Sequence, residues 1–151
     1  MAPQVRELRW PADRDAVLSF QYEVYEGNFP GFRVTAEFLR EYAQQIKMAS
    51  RSPYEKLYVL DDNGQVCGFI WMEVRGTMID PLIGYIKNIY VAPQWRGQGY
   101  AQALLHAADE WFMRQGCTKA SLDVSVCNEQ AINCYRHAGY EVTRYRMEKH
   151  Y

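Results

Sequence analysis

The sequence predicts an α/β fold in which one central mixed sheet carries helices on both of its faces. Segments with strand and helix periodicity follow one another in the order β-α-α-β-β-β-α-β-α-β. Early strands form a hairpin, whereas later strands alternate with helices, and this combination indicates antiparallel and parallel pairing within one sheet. The length of 151 residues and the hydrophobic fraction of 48% suit a single domain, 1–151, with a buried core.

The first half of the chain contains two helices between strands. Its predicted elements are a strand at Val5–Trp10, a helix from Asp13 to about Glu26, a second helix that Thr35 caps, and a hairpin of Leu57–Leu60 and Gln65–Val74. Apolar residues recur at helical spacing in both helices and alternate in the first strand. The turn sequence Asp-Asp-Asn-Gly between the hairpin segments favours a tight reversal.

The second half alternates strands with helices. Its predicted elements are a strand at Ile83–Val91, a helix at Gly99–Gln115, a strand at Ala120–Val126, a helix at Asn128–Ala138 and a last strand at Tyr140–Lys149. The long helix carries an apolar stripe, and Gly116 ends it. The residues of this stripe are Ala101, Leu104, Leu105, Ala108 and Phe112.

Composition excludes several classes of function. The formal net charge is -1, so we expect no nucleic-acid partner and no binding to an anionic membrane. The first ten residues lack the apolar core of a signal peptide, and no apolar run is long enough to span a bilayer, which favours a cytoplasmic protein. The four scattered cysteines lack metal-ligand spacing and predict no metal site; small apolar fillers are favoured over a thiol nucleophile.

The segment Val91–Ala101 follows a predicted strand and opens a predicted helix. Gly97 and Gly99 allow a sharp turn and the close approach of a ligand to the backbone. The first N–H groups of a helix have no internal partner and attract anions, so a pyrophosphate suits this position, and Arg96 adds a positive charge. The loop lacks the lysine of a Walker loop and the third glycine of a dinucleotide fingerprint. An ordinary strand-to-helix turn is the alternative interpretation.

A second segment, Ser121–Tyr140, places polar residues along one stripe of a short helix. Asn128 suits an N-cap. Asn128, Ala131 or Ile132, and Tyr135 lie on one stripe because seven residues are close to two turns. A ligand along this face would touch both Asn128 and Tyr135. The alternative is that Tyr135 is a helix tyrosine that only packs.

Together the two segments resemble the GNAT family of N-acetyltransferases. The loop matches the family pattern Q/R-x-x-G-x-G/A in two registers, Gln94–Gly99 and Arg96–Ala101, and Asn128–Tyr140 matches N-x-x-A-x-x-x-Y-x-x-x-G-Y. The resemblance covers nearly the whole chain and implies a small single-domain enzyme. It implies acetyl-CoA as the cofactor and, as acceptor, a small-molecule amine or an amine of a peptide or protein. It also leaves a homodimer open.

The resemblance implies roles for individual residues. The strand end Ile89, Tyr90 and Val91 would pair with the pantetheine arm, which Asn128 and Ala131 would also face. The pyrophosphate would be bound by the backbone of Arg96, Gly97, Gln98, Gly99, Tyr100 and Ala101. Tyr135 would be the catalytic acid, because a tyrosine with a pKa of about 10 is protonated at neutral pH and can reprotonate a thiolate whose thiol has a pKa of about 8.5.

The proton-removing step and the acceptor pocket have candidate residues of their own. Some family members carry a glutamate on the strand before the loop, where this sequence has Tyr85; Glu73 is the best local substitute, although a solvated strand charge is the alternative. A base acting through water, or no base at all, also remains open. Glu23 and Glu26 are candidates to attract a cationic amine, and Phe32 to stack on it.

Three other functions compete with an acetyltransferase. A non-catalytic acyl-CoA-binding module of the same fold is the main alternative, against which the presence of Asn128 and Tyr135 argues. A nucleotide-phosphate enzyme and a purely structural domain are disfavoured by the missing Walker lysine and by the paired motifs.

Overall fold

The computed structural model describes residues 2–151. Its elements are β1 (Gln4–Glu7), α1 (Arg14–Gln21) continued by a π-helical turn (Tyr22–Glu26), α2 (Ala36–Ala49), β2 (Glu55–Asp62), β3 (Gln65–Arg75), β4 (Ile83–Val91), a 3-10 turn (Pro93–Trp95), α3 (Tyr100–Arg114), β5 (Ala120–Ser121) and α4 (Glu129–His137). The strands form one sheet in the order β1-β2-β3-β4-β5. β1 to β4 pair antiparallel and β4 pairs parallel with β5. The predicted mixed α/β sheet is therefore confirmed.

Helices cover both faces of the sheet, as predicted. On one face, α3 buries Leu104, Leu105 and Phe112 against strand residues such as Ile70 and Met72. On the other face, the buried side chains come from α1 and α2 and from β2 and β3, namely Val17, Tyr42, Ile46, Val59, Phe69 and Trp71. Each face thus has its own apolar cluster, which stabilises the sheet that carries the site.

Local signals placed the turns and helix ends correctly. The β2–β3 hairpin turns at Asn63 and Gly64, whose φ angles of 52° and 94° are the left-handed values that an Asn-Gly turn adopts. Thr35 accepts a hydrogen bond from the backbone N–H of Phe38 at 3.1 Å and caps α2. Asn128 does the same for α4, accepting from the N–H of Ala131 at 3.2 Å.

The predicted strands after α3 are mostly wrong. Only Ala120 and Ser121 of the predicted strand 120–126 pair with β4, and the chain then turns toward α4. Residues 140–149 were expected to form a last strand, but within the described chain they form neither helix nor strand and are largely exposed. Alternation of apolar and polar residues indicates that a segment can be a strand, yet β5 is too short to give this segment a partner.

Candidate functional site

β4 and β5 separate after two residue pairs. Gly84 pairs with Ala120 and Tyr85 with Ser121, and beyond this point β4 pairs only with β3 as far as Val91. A register shift opposite Trp71 and Met72 places Lys87 as an extra residue in β4 at this divergence. A strand that pairs on one side only leaves alternate backbone groups available to another partner. The predicted pantetheine contacts Ile89, Tyr90 and Val91 all lie in this open half.

The predicted phosphate loop, within the segment Val91–Ala101, adopts a conformation that requires glycine. Gly97 and Gly99 have φ angles of 75° and 88°, and Gly99 occupies the N-cap of α3 without a side-chain cap. A Cβ atom at either glycine would meet nothing within 4 Å, so the backbone here borders open space. The first N–H groups of α3 follow this open loop and have no intrahelical partner, so a phosphate could approach them there. Trp95 anchors the start of the loop through a 3.0 Å hydrogen bond from its Nε1 to Asp62.

The side chain of Arg96 folds back over the end of β4. Its Nε donates to the Val91 carbonyl at 2.8 Å, and its guanidinium lies 5.4 Å from the centroid of the Tyr90 ring. Its Nη2 forms an ion pair with Glu23 of the π-helical turn. One residue predicted for the donor and one predicted for the acceptor thus contact each other directly.

A side-chain hydrogen bond connects the helix α4 to the start of α3. Nε2 of Gln102 donates to the Cys134 carbonyl at 2.9 Å, which holds the end of the phosphate loop beside the residue preceding Tyr135. The Tyr135 ring lies 6.2 Å from that of Tyr140. Burial, and after it the charge of Cys134, raise the pKa of Tyr135 to about 12. Its phenol is therefore protonated at neutral pH, as a general acid must be.

A carboxylate that the sequence did not single out lies where β4 and β5 diverge. The hydroxyl of Tyr85 donates to Asp123 at 2.6 Å, and the Arg75 guanidinium lies 3.7 Å from the Tyr85 ring centroid. Burial, followed by the hydrogen bond to Asp123, raises the pKa of Tyr85 to about 12. Asp123 itself is exposed. In the sequence it lies within the predicted strand Ala120–Val126, and only its pairing with Tyr85 distinguishes it.

The other predicted acceptor residues are engaged within the protein. Glu73 forms ion pairs with Arg75 and, at 3.8 Å, with Lys87, so its carboxylate is not a free base in this structure. Glu26 accepts a hydrogen bond from the Val34 N–H at 2.7 Å and holds the loop between α1 and α2.

Aromatic side chains in and beside the segment that joins the π-helical turn to α2 form a cluster. Phe32 packs against Phe38 with ring centroids 5.2 Å apart, although 38% of Phe32 remains exposed. Tyr25 lies at the centre of this cluster, 4.8 Å from Phe38 and 5.8 Å from Phe29. The cluster gives the predicted acceptor side a partly exposed aromatic surface.

Metal and membrane features do not add to the site. Among residues 2–151, no group of three or more histidine, cysteine or acidic side chains is arranged to hold a metal ion. No helix in the same range has the length and apolar character needed to cross a membrane. All four cysteines are free, and burial raises the pKa of Cys67 to about 11 and also raises that of Cys134.

Comparison with known proteins places the chain among acetyltransferases. The sequence model of the acetyltransferase (GNAT) family matches residues 6–140. The aminoglycoside N(6')-acetyltransferase type 1 of Stenotrophomonas maltophilia is 35% identical over 86 residues, which are 54% of this chain and 56% of that protein. The enzyme of the same name from Klebsiella aerogenes is 27% identical over 114 residues, covering 73% and 75% of the two chains.

A solved structure shares the fold over the full chain. The aminoglycoside acetyltransferase AAC(6')-Iy, in complex with a bisubstrate analogue of CoA and acetylneamine, superposes with a TM-score of 0.79 at 16% identity. The superposition covers 100% of this chain and 99% of that one.

Proposed function

Because the chain belongs to the acetyltransferase (GNAT) family, we propose that it transfers an acetyl group from acetyl-CoA to a primary amine of a small molecule. The family, the fold class and acetyl-CoA as the donor, all predicted from the sequence, are confirmed. The observation that carries the proposal for this chain is the open half of β4, which pairs with β3 alone and runs directly into the phosphate loop.

The donor would lie along that open half. Its pantetheine amides would pair with backbone groups of this half near Ile89 as an added strand does, because the Val91 carbonyl already accepts a hydrogen bond from Arg96 Nε. Its pyrophosphate would accept hydrogen bonds from the backbone N–H groups between Arg96 and Ala101, at the N-terminus of α3. Ile86 and Val91 of β4 belong to the apolar cluster under α3, which supports the strand from that side.

The reaction needs three groups besides the donor. The neutral amine attacks the thioester carbonyl, and a backbone N–H of β4 near Ile89 or Tyr90 stabilises the oxyanion. When the tetrahedral intermediate collapses, the carbon–sulfur bond breaks and the thiolate takes the proton of the Tyr135 hydroxyl. The amine proton leaves to solvent and a proton from solvent then restores the tyrosine, so that the cycle closes on acetylated amine and CoA thiol.

The charge of one site residue and the names of the relatives both indicate the class of acceptor. Asp123, oriented by Tyr85, presents a carboxylate at the divergence of β4 and β5, which favours an acceptor that carries positive charge. Both relatives are named aminoglycoside N(6')-acetyltransferases, so aminoglycosides are the first acceptors to test. The match spans just over half the length of the first relative, and the acceptor of this chain is therefore part of the proposal.

One experiment separates the enzyme from a binding module. Release of CoA thiol from acetyl-CoA is measured with a panel of aminoglycosides, polyamines, amino acids and N-terminal peptides. Acceptor-dependent thiol release with a small amine supports the proposal, and a preference for peptides would contradict its acceptor class. Stabilisation by CoA in a thermal melt with no thiol release from any amine would instead support the non-catalytic module.

A further inference from the structure

The ion pair between Glu23 and Arg96 joins the two sides of the proposed site. Glu23 belongs to the π-helical turn that ends the first helix, and Arg96 belongs to the phosphate loop, 73 residues later. The Arg96 guanidinium of this pair also lies 5.4 Å from the centroid of the Tyr90 ring. Burial, and next the negative charge of Glu23, raise the pKa of the Tyr90 phenol, consistent with a carboxylate close to that ring.

This ion pair is easily exchanged. The side chains of Arg96 and Glu23 are 40% and 48% exposed, and ion pairs of such exposure contribute little to stability. A pyrophosphate offers more negative charge than one carboxylate, and arginine binds phosphate oxygens through two parallel hydrogen bonds. It would also arrive at the loop that carries Arg96, held there by the N–H groups of α3. The pyrophosphate is therefore the stronger partner for Arg96.

Resting on the proposed function, we propose that acetyl-CoA takes Arg96 from Glu23 and that the released carboxylate then binds the ammonium of the acceptor. Before the donor binds, the two side chains neutralise each other. Afterwards Arg96 neutralises the pyrophosphate, and Glu23 is an unpaired negative charge on the acceptor side. The exchange makes Glu23 a specificity-determining residue for cationic acceptors, and it favours binding of the donor before the acceptor.

The exchange predicts opposite effects on the two substrates. In Glu23→Gln, CoA no longer competes with a carboxylate for Arg96, so its affinity rises by about threefold. The same change removes the acceptor's counter-charge, so KM for a polycationic amine rises by about threefold to tenfold. A residue that only supported the local fold would weaken both substrates together.

The test is a double-mutant cycle on CoA affinity by calorimetry. It uses Glu23→Gln, Arg96→Gln and the double variant, with Glu41→Gln on the exposed face of α2 as the matched change of charge. We expect Glu23→Gln to bind CoA about threefold more tightly and Arg96→Gln to bind it more weakly. We expect no gain from Glu23→Gln in the Arg96→Gln background, and no change with Glu41→Gln.

Two results would overturn the exchange. One is unchanged or weaker CoA binding by Glu23→Gln with a wild-type melting temperature; the other is an equal gain in both backgrounds. Failure of the wild-type protein to bind CoA would instead refute the proposed function, so the two failures are distinguishable.

Discussion

The two halves of β4 have different surroundings. At its beginning, Gly84 and Tyr85 pair with β3 on one side and with β5 on the other, and Gly84 lies directly beneath the ring of Phe112. Toward its end, the strand pairs with β3 alone and continues into the phosphate loop. One strand therefore serves packing at one end and, in the proposed function, would bind the donor at the other. Substitutions near its beginning should change stability, and those near its open end should change donor binding or turnover.

The largest effect is expected on the chemical step, which the proposed function assigns to Tyr135 of α4 acting on a donor bound at the open end. Tyr135→Phe removes the proposed acid but keeps the ring, so kcat should fall by about 100-fold or more. CoA affinity and the free energy of unfolding should remain close to wild type. Steady-state kinetics with calorimetric CoA binding measures both, and full turnover across pH with CoA binding intact would show that Tyr135 is not the acid.

The pH dependence of the same residue has a definite sign. The folded-state pKa of Tyr135 is raised to about 12, above its ordinary value of 10. The phenol thus stays protonated up to about pH 11, and loss of the acid should reduce kcat only as pH approaches 12. The protonated Tyr135 phenol contributes fully to the free energy of unfolding below pH 10, and this contribution is lost as pH rises from 10 through 12.

The next largest effect is expected at the closed end, on stability. A Cβ atom at Gly84 would lie 2.5 Å from Cδ1 of Phe112, so Gly84→Ala should lower the free energy of unfolding by about 1–3 kcal/mol through overpacking. Urea denaturation measures this loss. The companion variant Gly84→Ala with Phe112→Leu makes room for the methyl group and should be less than additive. The CoA affinity of the folded Gly84→Ala protein should be unchanged. A large loss of CoA affinity would contradict the assignment of packing and donor binding to different halves of β4.

A third prediction compares two glycines with similar backbone strain, of which only one lies in the phosphate loop. Gly99→Ala introduces no clash but forces alanine to a φ of 88°, at about 1 kcal/mol. Gly64→Ala in the β2–β3 turn, with a φ of 94° and open space, is the matched control. Both variants should lose similar stability, but only Gly99→Ala should also bind CoA more weakly, by about fivefold. Equal CoA affinity in the two variants would contradict the assignment of the loop.

The smallest effect is expected at the divergence point. Asp123→Asn keeps a hydrogen-bond acceptor for Tyr85 but removes an exposed charge, so KM for a cationic amine should rise only about two- to threefold. CoA affinity and stability should stay within error of wild type. The control is Asp15→Asn, which changes an exposed side chain of α1 and should leave KM unchanged. An uncharged acceptor affected as strongly as a cationic one would show that Asp123 does not act through its charge.

What the sequence predicted well was local chemistry. The bounds of β4 agree with the structure, and the glycines of the loop are where a strand-to-helix turn needs left-handed backbone. Asn128 caps α4 as predicted. Each of these features depends on residues within one turn or one strand, so the spacing of a few residues is enough to indicate it.

What the sequence missed were contacts between distant parts of the chain. Arg96 with Glu23, Tyr85 with Asp123, and Gln102 with Cys134 are separated by 73, 38 and 32 residues. Such pairs follow from how the helices cross the sheet, which no local spacing encodes. The predicted last strand was wrong for the same reason, since a strand depends on its partner as well as on its own residues.

The open half of β4 also has a consequence for handling the protein. A strand with free backbone groups is a template for pairing with another chain, which proteins normally avoid by covering or charging their edges. In the proposed complex the donor's amides cover this edge, so the ligand also acts as a protective strand. The ligand-free protein should therefore self-associate more readily at high concentration than the protein stored with CoA, and light scattering with and without CoA would reveal the difference.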